Sequence, residues 1–553
     1  MSDNLLKNHI IPVAVLTLLS FYLFFFHSGN LALTDPDETF YAQTAKEMLA
    51  KGEWATPYLY GKPQFEKPIL FYWLLESSYK IFGINEFASR FPSGLLALLG
   101  VIGIYFLGSI LFNKRAGLIS ALILATNVEY VILSRACVTD MALFVFLLLG
   151  FLFFFLGYMK KKGNFYIFAS VFFALATLTK GPIYIILAGA ALIIYLFIIK
   201  DLGAIKWRFF LAAAAVFLAI ALPWYILMYK LHGKDFIDVF FGFHNITRFL
   251  ESEHEIGSGP FYNIPILFGG FAPWSAFLPI ALWRMFKKAM AKERAAIFVL
   301  TWFFVIFAFF SLSSTKLATY IFPSFLSSAL VVAVSWDEFL KAGALKSIKG
   351  MKVSYYLLIF LMLFGTIGGI VYAKIDYPVI SYGLSVSFLF LLFGFLLSFI
   401  AALNKKFMAA FLFIVYALLL FLYPLALLVL PAIEPYETSK EISLKLLSLM
   451  KPHERLGSES NYLAGLAFYA EKTPIDFDKH NTLIKFLASE ERVWCVLKEK
   501  NHIQLYDPDI NRDYRYMQPS YMVYCIGKRC IVTNKAPYDG KYIVKREREN
   551  DRK

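Results

Sequence analysis

The sequence predicts an α-helical polytopic membrane protein with a small soluble α/β domain at its C-terminal end. Three observations carry that expectation. The 553-residue chain is 59% hydrophobic and only 17% charged, with a mean hydropathy of +0.61, more apolar surface than a soluble protein of this size needs. Apolar runs close to the ~20 residues that cross a ~30 Å bilayer core recur along residues 10–431. Residues 434–553 then return to ordinary soluble composition.

Thirteen runs qualify as spans, near 10–32, 88–112, 117–134, 140–159, 164–179, 182–199, 209–229, 262–283, 295–312, 317–335, 354–373, 379–402 and 407–431. The first has a short basic head and no small-residue cleavage site before the acids that follow, so it reads as a retained span. No internal repeat and no broken-helix pair at mid-membrane depth is evident, which disfavours a lipid-linked sugar transporter or flippase.

The formal charge is +15, but the basic residues sit between spans, a membrane-topology signal that argues against nucleic-acid binding. Asn113-Lys114-Arg115, Lys160-Lys161-Lys162, residues 200–208, 284–294 and 341–352, and Lys405-Lys406 occur at every second turn. They define a cytoplasmic face that includes the N-terminus. The other loops, and everything after Pro431, face outward. This divides the chain into a membrane domain, 1–433, and an outward domain, 434–553.

In the outward domain, helix-like stretches (438–450, 462–469, 481–488) alternate with strand-like ones (492–497, 521–526). The four cysteines show no metal-site spacing. An oxidising compartment permits one disulfide among Cys495, Cys525 and Cys530, with one of the three left over.

The first outward loop opens with LTDPDETFYA. Asp35 reads as an N-cap, Pro36 as N1 and Glu38 as the N3 half of a capping box. The helix should end at Lys51 before Gly52 and lie on the membrane surface, with Tyr41, Ala45 and Met48 on its apolar side. A second helix, 68–82, is too short to span and ends at Gly83. Capping leaves Asp37 unexplained, which makes it the candidate functional acid. In QFEKP, Glu66 and Lys67 are held extended by Pro68.

Outward cations follow: Lys67, Arg135, Lys180, Arg248 and Lys316. Each can hold phosphate oxygens, Arg as a planar fork and Lys as a point charge, although Lys180 and Lys316 can equally snorkel at span ends. Asp140, close after Arg135, either orients that arginine or touches substrate. His254, among Glu251, Glu253 and Glu255, reads as a solvated loop. Charged residues gathered on one face of an apolar scaffold mark a functional site.

The run DETFYA, then GEWATPYLYGKPQFEKPILFYW, resembles the first outward loop of bacterial lipid A 4-amino-4-deoxy-L-arabinose transferases. These belong to a superfamily that includes polyprenyl-phosphate-mannose protein mannosyltransferases. SRACVTD, LTKGP, FFGFHNITRF, PFYNIPILFGGFAPW and STKLATYIFP continue the likeness over most of residues 1–330. Ile69 stands where the family usually has a second proline, and Ala318 where it often has one.

The resemblance implies the type C membrane glycosyltransferase fold, with about thirteen transmembrane helices and two interfacial helices in the first outward loop. It implies a polyprenyl-phosphate sugar donor, a lipid A or protein acceptor, an inner-membrane location and a periplasmic site. Asp37, Glu38 and Lys67 are then catalytic, and Arg135, Asp140, Lys180, Arg248, Lys316 and Tyr320 bind substrate or phosphate. Glu66 and His244 form a candidate divalent-metal pair. The nearest rival is a protein O-mannosyltransferase, whose hydroxyl acceptor would need proton abstraction by Asp37.

Overall fold

The computed structural model describes residues 2–247, 259, 261–341, 348–477, 480–505, 520–538 and 541. The chain forms two compact units. The first comprises residues 1–28, 53–57 and 64–429, and the second residues 29–52, 58–63 and 430–553. The second unit thus includes two pieces of the first outward loop, up to residue 52 and 58–63, which the sequence division left with the membrane domain.

The first unit is a bundle of apolar helices, as its composition requires: backbone polar groups in lipid are satisfied only within helices or closed barrels. Eight helices among the described residues are long and apolar enough to cross a membrane, up to ten if two bent pairs each count as one span. Three shorter apolar helices, His9–Phe25, Asn164–Lys180 and Ile183–Ile198, fall below that length, so length and composition do not reach the expected thirteen.

The bent pairs correct the expectation of unbroken spans. Lys114–Ala125 meets Val128–Ser134 at 67°, and Asn263–Gly270 meets Trp274–Met290 at 113°. Asn127 explains the first break: its side chain caps the second helix by accepting from the Tyr130 N–H, as Asn113 caps the first.

Thr139–Lys160 and Asn164–Lys180 form an antiparallel hairpin. Gly150 permits the close approach, since a Cβ there would stand 2.5 Å from the Phe173 ring.

The second unit is a three-layer α/β fold. Its five-stranded sheet has the order β4-β3-β5-β7-β6, with β3 Arg455–Ser458, β4 Ile475–Asp476, β5 Val493–Lys498, β6 Tyr521–Ile526 and β7 Arg529–Thr533. β3 pairs parallel with β4 and β5, and β7 antiparallel with β5 and β6. A small hairpin, β1 Tyr58–Leu59 and β2 Lys62–Pro63, is separate.

Alternation along β5 covers both faces. Val493, Cys495 and Leu497 pack with Leu483, Phe486 and Leu487. Trp494 and Val496 pack with Ile442, Leu446 and Leu466. The disulfide joins Cys525 and Cys530 across the β6–β7 hairpin and leaves Cys495 buried and free.

The helix Asp37–Lys51 does end at Gly52, with φ +66°. However, its apolar side is not left bare for lipid. Glu38, Thr39, Gln43 and Thr44 are buried along with Tyr41, Ala45 and Met48, and the helix packs against Leu463–Ala470 within the second unit. Its apolar stripe is covered by protein.

Candidate active site

In the first unit, the hairpin brings the start of one helix beside the end of the next, so Asp140 and Lys180 meet. Their Nζ–Oδ1 distance is 2.5 Å, and both side chains are about nine-tenths buried. An acid in the first turn and a base in the last also suit the two helix dipoles.

The Lys180 ammonium lies 5.8 Å from the Tyr184 ring centroid and 5.6 Å from that of Tyr320. Glu129 is in electrostatic range of both Asp140 and Lys180, and its Oε1 is buried without a hydrogen-bond partner, as is the Tyr184 hydroxyl. Lys180 therefore does not snorkel, and Asp140 orients Lys180 where Arg135 had been the expected partner.

Arg135 follows the Val128–Ser134 helix and donates from Nη1 to the Leu23 carbonyl, 3.0 Å away. Its Nη2 is buried with no hydrogen-bond partner. Burial and the like charge of Arg90 hold its pKa below the usual guanidinium range, at about 10. An anion brought to Nη2 would relieve both penalties.

Lys316 is buried and donates to the Ser313 carbonyl at 2.9 Å, so it does not snorkel either. Tyr320 packs on Phe310, centroids 5.2 Å apart.

The FEKP segment is held from several sides. Phe65 packs on His232 and Phe236, at 5.0 and 5.6 Å between centroids. Thr56 hydrogen-bonds His232 Nε2 at 2.8 Å. Gln64 donates to Tyr72 at 2.6 Å and accepts the Glu66 N–H at 3.0 Å. These contacts set Glu66 and Lys67, both half-buried, just before the Leu70–Phe82 helix.

Arg248, the side chain of His244, and the His254 loop lie outside the described residues. Among the described residues no group of three or more His, Cys, Asp or Glu could hold a metal ion. Glu66 is thus the one described member of the candidate metal pair.

In the second unit, the three acids of the opening stretch separate. Pro36 holds the N-cap position and makes no side-chain cap, which corrects the expected role of Asp35. Glu38 is the acid that reaches back, its Oε2 accepting from the Thr34 N–H at 2.9 Å and the Thr34 hydroxyl at 3.0 Å.

Asp35 is instead a buried ion-pair partner. Its side chain is 1% exposed and lies 3.3 Å from Arg529 Nη1. Ser439 and Thr39 hydroxyls also donate to it. Burial pushes its carboxyl up to about 6, against the opposing pull of Arg529, Ser439 and Thr39. Asp37 stands exposed at the first position of the helix.

Sequence reasoning missed Glu129, Arg90, His232 and Arg529. Glu129 and Arg90 had a usable signal, because an ionisable residue inside an apolar segment is a functional-site hypothesis by default. Arg529 had none.

The family profile described as dolichyl-phosphate-mannose-protein mannosyltransferase matches residues 66–227, which contain Glu66, Lys67, Arg135, Asp140 and Lys180. The chain is 31% identical over 348 residues to the undecaprenyl phosphate-alpha-4-amino-4-deoxy-L-arabinose arabinosyl transferase 1 of Pseudomonas fluorescens (strain Pf0-1), covering 61% of this chain and 59% of that one. It is 33% identical over 320 residues to an uncharacterised protein of Aquifex aeolicus (strain VF5), covering 58% of this chain and 71% of that one.

The chain is similar to the aminoarabinose-transferase and protein-mannosyltransferase superfamily.

The fold agrees over nearly its whole length. The crystal structure of ArnT from Cupriavidus metallidurans bound to undecaprenyl phosphate superposes with a TM-score of 0.77 at 21% identity, covering 95% of this chain and 98% of that one. The chain is therefore a helical, multi-pass membrane protein. Its sequence alignments span 58–64% of the length of the first relatives.

Proposed function

We propose that this chain is a polyprenyl-phosphate-dependent glycosyltransferase of the inner membrane, working on the periplasmic side. It would move 4-amino-4-deoxy-L-arabinose from an undecaprenyl-phosphate donor to a lipid A phosphate. The observation that carries this is the 31% identity to curated undecaprenyl-phosphate aminoarabinose transferases. The buried cationic groups of the first unit, above all Arg135 with its unfilled Nη2, suit a phosphate-bearing donor.

The acceptor oxygen attacks the anomeric carbon, the bond from that carbon to the phosphate oxygen breaks, and polyprenyl phosphate leaves with the electron pair. One displacement inverts the anomeric centre, as in direct attack by inverting glycosidases. Lys67 and Arg135 neutralise the leaving phosphate, with Lys316 and Tyr320 as further contacts. Lys180 is held by Asp140. An acceptor phosphate needs little proton abstraction, so Asp37 acts chiefly by stabilising positive charge that develops on the sugar.

The mannosyltransferase profile over residues 66–227 favours one second reading, a protein O-mannosyltransferase. There Asp37 would take the proton of a Ser or Thr hydroxyl.

Mass spectrometry of lipid A from cells with and without the gene separates the two. Loss of a pentosamine from lipid A supports the first; unchanged lipid A with lost protein glycans supports the second. In either case Asp37→Asn should lower transfer by about 10²–10⁴-fold, the usual worth of a positioned acid or base, and Lys67→Ala should abolish it in folded protein. Full transfer by purified Asp37→Asn would remove that residue from the mechanism.

A further inference from the structure

The buried pair of the second unit ties two segments 494 residues apart. Two charges are costly to bury, and apolar residues of similar volume often stabilise a fold equally well. What a satisfied buried pair does supply is a single geometry, and Asp35 is satisfied from several directions. Oδ1 accepts from Thr39 Oγ1 at 3.0 Å. Oδ2 accepts from the Ser439 hydroxyl and from Arg529 Nη1. The Asp35 N–H donates to the Glu437 carbonyl at 3.4 Å.

Arg529 is itself fixed, its guanidinium 4.7 Å from the Tyr462 ring centroid. Gly465 closes the other side, since a Cβ there would collide with Asp35 Oδ1. Thr39 is in the first turn of the helix that Asp37 begins, so all of these contacts converge on the backbone that aims Asp37.

We propose that Arg529, acting through Asp35, is a positioning residue for Asp37, so that the α/β fold of residues 430–553 orients the acid that acts at the reacting sugar. This rests on the role given to Asp37 above.

The test is steady-state transfer by purified full-length protein, with thermal unfolding measured alongside. The decisive variant is the double Asp35→Asn/Arg529→Met, which removes both charges and leaves neither orphaned. It should keep the wild-type unfolding midpoint and the donor KM while kcat falls about 10–100-fold, the cost of misplacing a reacting group by an ångström or so. A purely structural pair would lower the midpoint, or change nothing.

If the double variant fails to fold, Ser439→Ala decides, because it deletes one hydrogen bond only. A several-fold drop in kcat at unchanged KM supports the proposal. Wild-type kcat in the folded double variant, or in Ser439→Ala when that is the deciding variant, overturns it. Asp37→Asn is run in parallel: if it transfers normally, the role of Asp37 fails; if it is inactive while the double variant is fully active, only the positioning role of Arg529 fails.

Discussion

Asp140–Lys180 in the first unit and Asp35–Arg529 in the second are both buried acid–base pairs, and they are built differently. Asp140 and Lys180 are 40 residues apart and meet because two adjacent antiparallel helices end side by side. Asp35 and Arg529 are 494 residues apart and meet because Arg529 opens strand β7 of the five-stranded sheet. The first pair is left with unmet neighbours, Glu129 Oε1 and the Tyr184 hydroxyl, whereas two hydroxyls complete the second. A cluster with unfilled hydrogen-bonding capacity is suited to receive a ligand, and a closed one is suited to hold a scaffold.

The contrast predicts a graded set of effects. The largest belongs to Asp35→Asn alone. It strands the Arg529 guanidinium in the interior and should cost roughly 3–5 kcal/mol of stability in the second unit, seen as a lowered unfolding midpoint or loss of folded protein. Asp35 would have been expected to tolerate Asn had it been a helix cap, since the two cap about equally, so a mild outcome would restore the capping role.

Next comes Asp140→Asn. Lys180 keeps two aromatic faces and the nearby Glu129, so stability should fall by only about 1 kcal/mol, while transfer falls by an order of magnitude or more. A stability loss as large as that of Asp35→Asn would erase the distinction between the pairs.

The smallest effect concerns Glu76 in the Leu70–Phe82 helix. Both of its carboxylate oxygens are buried without hydrogen-bond partners, and burial, opposed by the charge of Lys80 and helped by a smaller push from Glu53, raises its pKa to about 7. The folded state therefore holds this proton more tightly than the unfolded state. The stabilisation is complete below the unfolded pKa, near 4.5, and is lost as pH rises through about 7. Glu76→Gln should flatten that decline in unfolding midpoint between pH 5 and 8. A parallel, unflattened curve would mean the carboxyl finds a charged partner.

Much of the scaffold was legible because its signals are local. Apolar runs marked the spans, Gly52 and Gly83 marked helix ends, and Val493–Lys498 and Tyr521–Ile526 showed strand composition. β3 and β4 are four and two residues long, too short to announce themselves. The bends within two expected spans were also hidden, because the hydropathy stays high through them.

The Asp37–Lys51 helix shows the deeper limit. A stripe of Tyr41, Ala45 and Met48 looks the same whether lipid or protein covers it. Only the burial of Glu38, Thr39, Gln43 and Thr44 on the same helix separates the two cases, and burial is a property of the partner surface. Arg529 was invisible for the same reason. Of the expected site residues, the structure joins Asp140 to Lys180 and packs Tyr320 beside them, whereas Arg135 turns to the Leu23 carbonyl.

The interrupted course of the second unit has a practical corollary for anyone recombining these proteins. A graft that exchanges only residues after 429 would pair a foreign sheet with a native 29–52 strip, severing the Asp35 contacts and exposing the seats of Ala32 and Leu33, which bond to Glu434 and Tyr469. Hybrids should travel with that strip, or carry matched residues at 35, 439, 465 and 529.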